Sequence, residues 1–162
     1  MAETYSVEYT AGFISSPRGN FPGYHFDPKY FTYVQAATGT AGDTILLRQL
    51  PPHCALDMYL SWFAFSGWTT GATLSVGWKA YKDEDGTTVA ASAAGLLSAV
   101  VMTGGGAWVQ GVLGVATIAT SGPVVGMKVF NNREPITIFA TIGTQAPAAT
   151  NVLNGMLACY VS

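Results

Sequence analysis

Two neighbouring stretches of the sequence restrict the fold most strongly, because both have the pattern of β-strands. The residues from Ala72 to Ala80 alternate between apolar side chains and Thr, Ser, Gly or Lys, a period typical of a strand with one face in a core. The run from Leu56 to Phe65 is apolar or aromatic except at Asp57 and Ser61, which indicates a strand buried on both faces. The glycine-bounded link from Gly67 to Gly71 predicts a hairpin between them.

The rest of the sequence contains further short strand-like runs separated by turn residues. These runs are Thr32 to Ala37, Ile45 to Leu50, Trp108 to Ala119, Val124 to Phe130, Ile136 to Ile142 and Leu153 to Val161. The Gly143 to Thr150 link predicts a second hairpin, with a long loop, between the last two. Val89 to Val101 is the one stretch whose composition favours a helix, although Gly95 would cost it about 1 kcal/mol. About eight strands and little helix predict an all-β chain, a β-sandwich or a jelly roll.

The N-terminal segment follows neither period. It combines Pro17, Pro22 and Pro28, which prevent a continuous helix or a central strand, with aromatic rings, which usually lie in cores or interfaces. We therefore divide the chain into an extended arm, residues 1–31, and a β-sandwich body, residues 32–162. The arm either reaches neighbouring subunits or folds back on its own body. The rings predicted to bind a partner are Tyr5, Tyr9, Phe13, Phe21, Tyr24, Phe26, Tyr30 and Phe31.

The charge of the chain is low and unevenly distributed. Seven Lys and Arg against nine Asp and Glu give a net charge of −2, so no electrostatic attraction to nucleic acid or an anionic membrane is expected. Charged residues make up 10% of the chain, against about 25% in a typical soluble domain. Since a free monomer needs a charged surface to remain soluble, we expect other protein chains to cover much of this one.

The sequence argues against a membrane protein and against a disulfide-rich secreted domain. The most apolar run, Val89 to Met102, is about fourteen residues long, whereas a spanning helix needs roughly twenty. No positively charged segment precedes an apolar stretch at the N-terminus, so we expect no signal peptide. Cys54 and Cys159 are too few for a disulfide framework and are expected to be buried apolar residues in an intracellular chain.

Residues suited to catalysis are scarce. The two histidines, His25 and His53, belong to no ligand cluster, and no Gly-x-Ser-x-Gly or phosphate-loop motif occurs. His53 and Cys54 are adjacent, but neighbouring side chains of an extended chain point to opposite faces, so they cannot form a catalytic pair. We predict that the protein is not an enzyme and requires no cofactor.

The acidic run Asp83 to Asp85 is the one candidate for a metal site. With Gly86 it matches part of a calcium-binding loop, but Tyr81 and Ser92 would occupy the first and twelfth positions, where carboxylates are required. An EF-hand is therefore excluded, and we predict a solvated turn, with a weak cation site as the alternative.

Two binding functions remain. A carbohydrate-binding module would stack sugars on exposed Trp or Tyr, and only Trp68, in the predicted hairpin loop, is expected to be free, since Trp62 and Trp78 lie in apolar patterns. Trp68 could equally contact a neighbouring subunit. A structural assembly protein would explain the aromatic arm, the low charge and the scarcity of catalytic groups together.

The segment "AGDTILLRQLPPHCALDMYLSWFAFSGWTTGATLSVGW", residues 41 to 78, resembles small structural proteins of tailed bacteriophages. The shared features, in order, are Gly42-Asp43, Ile45 to Leu47, Leu50-Pro51, Leu56 to Phe65 and Ala72 to Trp78; the ending "NVLNGMLACYV", preceded by "EPITIFATIG", is similar to their closing strands. The resemblance implies a β-sandwich found on virions, notably as a capsid decoration or cement protein, and no catalytic residues.

The resemblance also implies partners and a location. A decoration protein binds the major capsid protein and copies of itself, by analogy as a trimer, and lies on the capsid surface after assembly in the host bacterial cytoplasm. A tail or baseplate protein is the alternative within the same class.

Overall fold

The regular secondary structure of the described residues consists of β-strands. The computed structural model describes residues 3–5, 25–68, 70–102, 109–112 and 127–161, and in these ranges it contains twelve strands and no helix. The all-β prediction is confirmed, whereas the jelly-roll connection remains a prediction. The strands are β1 (Glu3–Tyr5), β2 (His25–Val34), β3 (Thr44–Leu50), β4 (Cys54–Ser66), β5 (Ala72–Trp78), β6 (Tyr81–Lys82), β7 (Thr88–Val89), β8 (Ser92–Met102), β9 (Val109–Val112), β10 (Met127–Phe130), β11 (Ile136–Gly143) and β12 (Val152–Val161).

The strands form two large sheets and one small one. The first sheet has the order β1-β3-β11-β5-β8, in which β1 runs parallel to β3 and the other pairs are antiparallel. The second sheet has the order β10-β4-β12-β2, and β9 pairs with β4 on the side that β10 also occupies. The short strands β6 and β7 form a separate hairpin.

The two large sheets share one hydrophobic core. Alternate residues of each strand face this core, as the period of two predicts. The first sheet contributes side chains such as Ile45, Leu74 and Ile138, and the second contributes Phe31, Phe63 and Leu157, all within one buried cluster. The core therefore lies between the sheets, and the opposite face of each sheet is directed away from it.

The two predicted hairpins are wrong, although their strands exist. β4 belongs to the second sheet and β5 to the first, and the same is true of β12 and β11. Each link therefore crosses from one sheet to the other. The amphipathic pattern of two adjacent strands only requires that their apolar faces meet a core, and strands in opposite sheets satisfy this as well as paired strands do.

The predicted helix is also wrong, because Val89 to Val101 contains β7 and most of β8. Gly95 lies against the neighbouring strand, where a Cβ would overlap the ring of Trp78. The glycine that would weaken a helix is thus the residue that lets a tryptophan of β5 pack across β8. In the part of the chain that the structure describes, no helix is long and apolar enough to cross a membrane.

Candidate interaction surface

The strand β2 shows how prolines and aromatic rings share one segment. It pairs with β12 from His25 to Val34 and forms an edge of the second sheet. Pro28 has no backbone N–H, and an edge strand tolerates this because one side needs no hydrogen-bonded partner. The predicted boundary between the arm, 1–31, and the body, 32–162, falls inside this strand, so residues 25–31 are part of the second sheet.

The rings of β2 divide between its two faces. Phe31 and Tyr33 point into the core and are 4% exposed, whereas Phe26 and Tyr30 point outward and are 41% and 55% exposed. Phe31 was predicted to bind a partner, and this is corrected: its ring is part of the core. The alternation of the strand decides the difference, since successive side chains point to opposite faces.

Two charged residues of β2 also point inward. Lys29 Nζ lies 2.5 Å from Asp27 Oδ2, and the two side chains are only 5% and 12% exposed. Inward-pointing charges and a proline on an edge strand discourage another strand from pairing with it. The side of β2 away from β12 is therefore unsuited to the addition of a strand from another chain.

The outward-facing residues of the second sheet form rows across its strands. Val129, Ala55, Tyr160 and Phe26 lie side by side on β10, β4, β12 and β2. The ring centroids of Tyr160 and Phe26 are 5.2 Å apart, a tilted aromatic contact. Apolar side chains predominate in these rows, which also contain the polar residues Thr32, Asp57, Ser66 and Asn154.

A large bulge in β4 adds to this side. Its four residues 58–61 oppose only Leu157 of β12. The Asp57 carboxylate fixes the bulge, because its Oδ1 accepts the backbone N–H groups of Tyr59 and Leu60 at 2.9 and 3.1 Å. Ser61 completes it by donating its hydroxyl to the Asp57 carbonyl at 2.6 Å.

The bulge places Tyr59 and Leu60 in solvent, where they are 52% and 50% exposed. The sequence predicts this strand to be buried on both faces and misses them. The signal that could have identified them is the pair Asp57 and Ser61, polar residues that bind nearby backbone groups and so favour turns.

We call the resulting surface the outer apolar face. Its exposed members are Phe26, Tyr30, Val34, Tyr59, Leu60, Met127 and Val129. Of the eight exposed large hydrophobic side chains in the described ranges, these are seven, and the eighth is Val101 on the first sheet. Together they expose on the order of 600 Å² of apolar area, at the upper limit for the largest patch of an ordinary monomer.

The other predicted contact residues lie elsewhere. Trp68 is not free, and this prediction is corrected: it is 1% exposed, and its Nε1 donates to the carbonyl of Val152 at 2.7 Å. Tyr5 belongs to β1, where its backbone lies beside Leu46. The remaining predicted rings lie outside the described residues; they are Tyr9, Phe13, Phe21 and Tyr24.

The candidate reactive groups have structural partners. Nδ1 of His53 lies 2.9 Å from Glu84 Oε1 in solvent, while the Cys54 thiol points inward toward Asn132, so the imidazole and the thiol do not form a pair. The side-chain hydrogen bond that the protonated Cys54 makes with Cys159, together with burial, raises the pKa of Cys54 far above its ordinary value and keeps it a thiol. Within the described ranges, no three His, Cys, Asp or Glu residues are grouped to hold a metal ion.

Comparisons with known proteins identify the fold but no family. No family model matches the chain, and no curated protein matches it. A chain in the structure "Capsid of Ralstonia phage GP4" is similar to it with a TM-score of 0.62 and 17% identity, over 99% of both chains. A chain in the structure "Cyanophage Pam1 capsid asymmetric unit" is similar with a TM-score of 0.53 and 17% identity, over 94% of this chain and 96% of that one. This all-β chain therefore has, over nearly its whole length, the fold of chains found in two phage capsid structures.

Proposed function

We propose that the protein is a non-enzymatic structural component of a bacteriophage virion, which decorates or cements the capsid by binding across capsid subunits. The observation that carries this proposal is the fold likeness to a chain of the Ralstonia phage GP4 capsid structure, because it extends over 99% of both chains.

The outer apolar face supports the same role. Its apolar area is at the upper limit of what an ordinary monomer exposes, and patches above this limit usually mark sites of protein association. Residues 135–162 contain no charged side chain, although they include two complete strands, β11 and β12. A chain of this kind is suited to a surface that other proteins cover.

A carbohydrate-binding module fits these observations less well. Trp68, the expected sugar platform, is buried, and Trp78 is only 9% exposed. Trp62 is half-buried and lies in a row with Met156 and Tyr30. No tryptophan of the described ranges therefore presents a free ring for stacking. A tail or baseplate position is also less favoured, since both similar chains come from capsid structures.

The proposal includes partners and a location. The protein binds the major capsid protein and copies of itself on the capsid surface, after assembly in the host bacterial cytoplasm. Because β1 pairs with β3 of the same chain, the start of the arm lies on its own body. Residues 6–24 lie between β1 and β2 in the sequence and contain four of the predicted contact rings, Tyr9, Phe13, Phe21 and Tyr24, and we propose that this part of the arm attaches the protein to neighbouring subunits. Several such attachments around a symmetric shell would strengthen one another.

The proposal can be tested with purified components. The protein is incubated with shells of the major capsid protein produced without it, the shells are sedimented, and the bound chain is quantified. We expect saturable binding at a fixed number of copies per shell, with density on the shell surface in electron cryo-microscopy. No binding to the shells, or density confined to the tail, would contradict the capsid role.

A further inference from the structure

We propose that the outer apolar face is the contact through which two copies of this chain associate. The inference deepens the proposed function, on which it rests for its biological setting, by naming the partner of one surface. The face consists of the seven exposed side chains defined above, on β2, β4 and β10. The partner is a second copy related by a two-fold axis, in a dimer.

The area of the face is sufficient for such a contact. The exposed members offer on the order of 600 Å², and the half-buried Trp62, Met156 and Tyr160 of the same rows add to it. A stable protein interface buries about 800 Å² on each partner. The face therefore approaches the size of a complete interface without any contribution from the other sheet.

The charge of the face favours a like surface as its partner. Across the described outward rows of the second sheet, the single charged residue is Asp57. One of its oxygens already accepts two backbone N–H groups, so an apolar partner would not leave this carboxylate without hydrogen bonds. No salt bridge or complementary charge is required for docking, and depletion of charge is characteristic of the centre of an interface.

The described surface of the chain has one apolar region that could match the outer apolar face, and this is the same face on a second copy. Outside the outer apolar face, the only exposed large hydrophobic side chain in the described ranges is Val101. Among the described residues, an apolar contact between copies is therefore best formed by this face and its own equivalent across a two-fold axis. The edge of the same sheet offers no alternative, because Pro28 and the inward pair Asp27–Lys29 oppose the addition of a strand there.

The test compares the oligomeric state of three proteins by light scattering and sedimentation, from about 1 to 100 µM. The first is the unchanged chain. The second carries Tyr30→Lys and Val129→Lys, at opposite edges of the face. The third carries Val101→Lys, a control whose side chain is 52% exposed, close to the 55% and 56% of the other two. Circular dichroism and urea unfolding establish that each variant is folded; if the double variant is not, Leu60→Lys on the bulge replaces it.

The unchanged chain is expected to be a dimer. The double variant should weaken its association at least about 100-fold, because charges buried at an apolar contact are strongly unfavourable, and Val101→Lys should leave it unchanged. The inference would be overturned if the unchanged chain stays monomeric. It would also be overturned if the double variant forms the same oligomer as the unchanged chain.

Binding to capsid shells separates this inference from the proposed function. If the chain is monomeric but binds shells, and the double variant does not, the face docks on the shell and the second copy is the wrong partner, while the capsid role stands. If the chain forms the expected oligomer and never binds shells, the inference stands and the proposed function fails.

Discussion

Phe31 and Gly155 lie directly opposite each other on β2 and β12, and the phenyl ring covers the glycine on the core side of the sheet. A Cβ on Gly155 would overlap this ring and would also come 2.6 Å from the carbonyl oxygen of Trp62. The aromatic ring fills the space that the missing side chain leaves, an arrangement known to stabilise glycine in sheets. The pair fixes the position of the edge strand on the second sheet.

Replacing Gly155 by Ala should therefore destabilise the protein. We expect a loss of about 1–3 kcal/mol in the free energy of unfolding, because the added methyl group overpacks a closed core. Urea unfolding measures it. Combining Gly155→Ala with Phe31→Leu should cost less than the sum of the two single changes, since the smaller side chain relieves the overlap. A wild-type midpoint for Gly155→Ala would contradict this packing.

Trp68 should be a structural residue of the link between β4 and β5. Replacing it with Ala should lower the free energy of unfolding by about 3–5 kcal/mol, the usual cost of removing a large buried ring. Trp68→Phe keeps a ring but removes the N–H that Val152 accepts, and should cost about 1–3 kcal/mol. Thermal unfolding of the two variants shows whether Trp68→Ala is less stable than Trp68→Phe, as expected. If both variants melt with the wild type, Trp68 is a free surface residue after all.

The Cys54 thiol predicts a loss of stability in alkaline solution. Its pKa lies above the ordinary value of 9.0 in the folded chain because the protonated thiol is hydrogen-bonded with Cys159 and buried. Above pH 9 the unfolded chain releases this proton and the folded chain retains it, so stability present below pH 9 is lost as the pH rises. The expected slope is about 1.4 kcal/mol per pH unit for one thiol.

The measurement is the free energy of unfolding from pH 8 to pH 10, compared with that of Cys54→Ala. The window ends at pH 10 because burial also raises the pKa of Tyr33 and Tyr81 above their ordinary value of 10.0. The variant should lose less stability over this range than the unchanged chain. Equal slopes in the two proteins would show that the Cys54 thiol ionises alike in the folded and unfolded states.

Truncation should distinguish the arm from the sheet. Deleting residues 2–24 keeps β2, removes only the three-residue edge strand β1 from the sheets, and should leave a folded chain that no longer binds capsid shells. Deleting residues 2–30 removes most of an edge strand that pairs with β12 over ten residues, and should abolish folding or cause aggregation. Circular dichroism and shell sedimentation measure the two properties separately. Normal shell binding after deletion of 2–24 would show that the arm does not attach the protein.

An individual strand could be predicted from the sequence where one face of the strand packs against the core and the other does not. Alternation places β5 and β11 within a residue or two of their observed bounds, because it depends only on the direction of successive side chains. The same reasoning fails at Val89 to Val101, where helix-compatible composition is overridden by the pairing of β8 with β5. Local preference is weaker than a ladder of backbone hydrogen bonds with a neighbouring strand.

The candidate surface could be predicted only in part. The abundance of rings before residue 32 and the low charge indicate a chain that associates with others, and Phe26 and Tyr30 are indeed exposed. Phe31 points to the opposite face of β2, because side chains alternate along a strand. This could be inferred only once the segment was known to be a strand. The exposure of Tyr59 and Leu60 depends on the bulge in β4. The hydrogen bonds of Asp57 and Ser61 that form this bulge are not indicated by any hydrophobic period in the sequence.

By itself, the sequence determined the class of fold: short runs with a period of two, separated by glycine and proline, and too few charges for an isolated surface. The tertiary structure decided which strands pair, which sheet each strand joins, that β2 lies at an edge, and that Trp68 is buried. The physical reason is the range of the interactions. Side-chain alternation is local to one strand, whereas pairing and burial depend on residues distant in sequence, such as Trp68 and Val152.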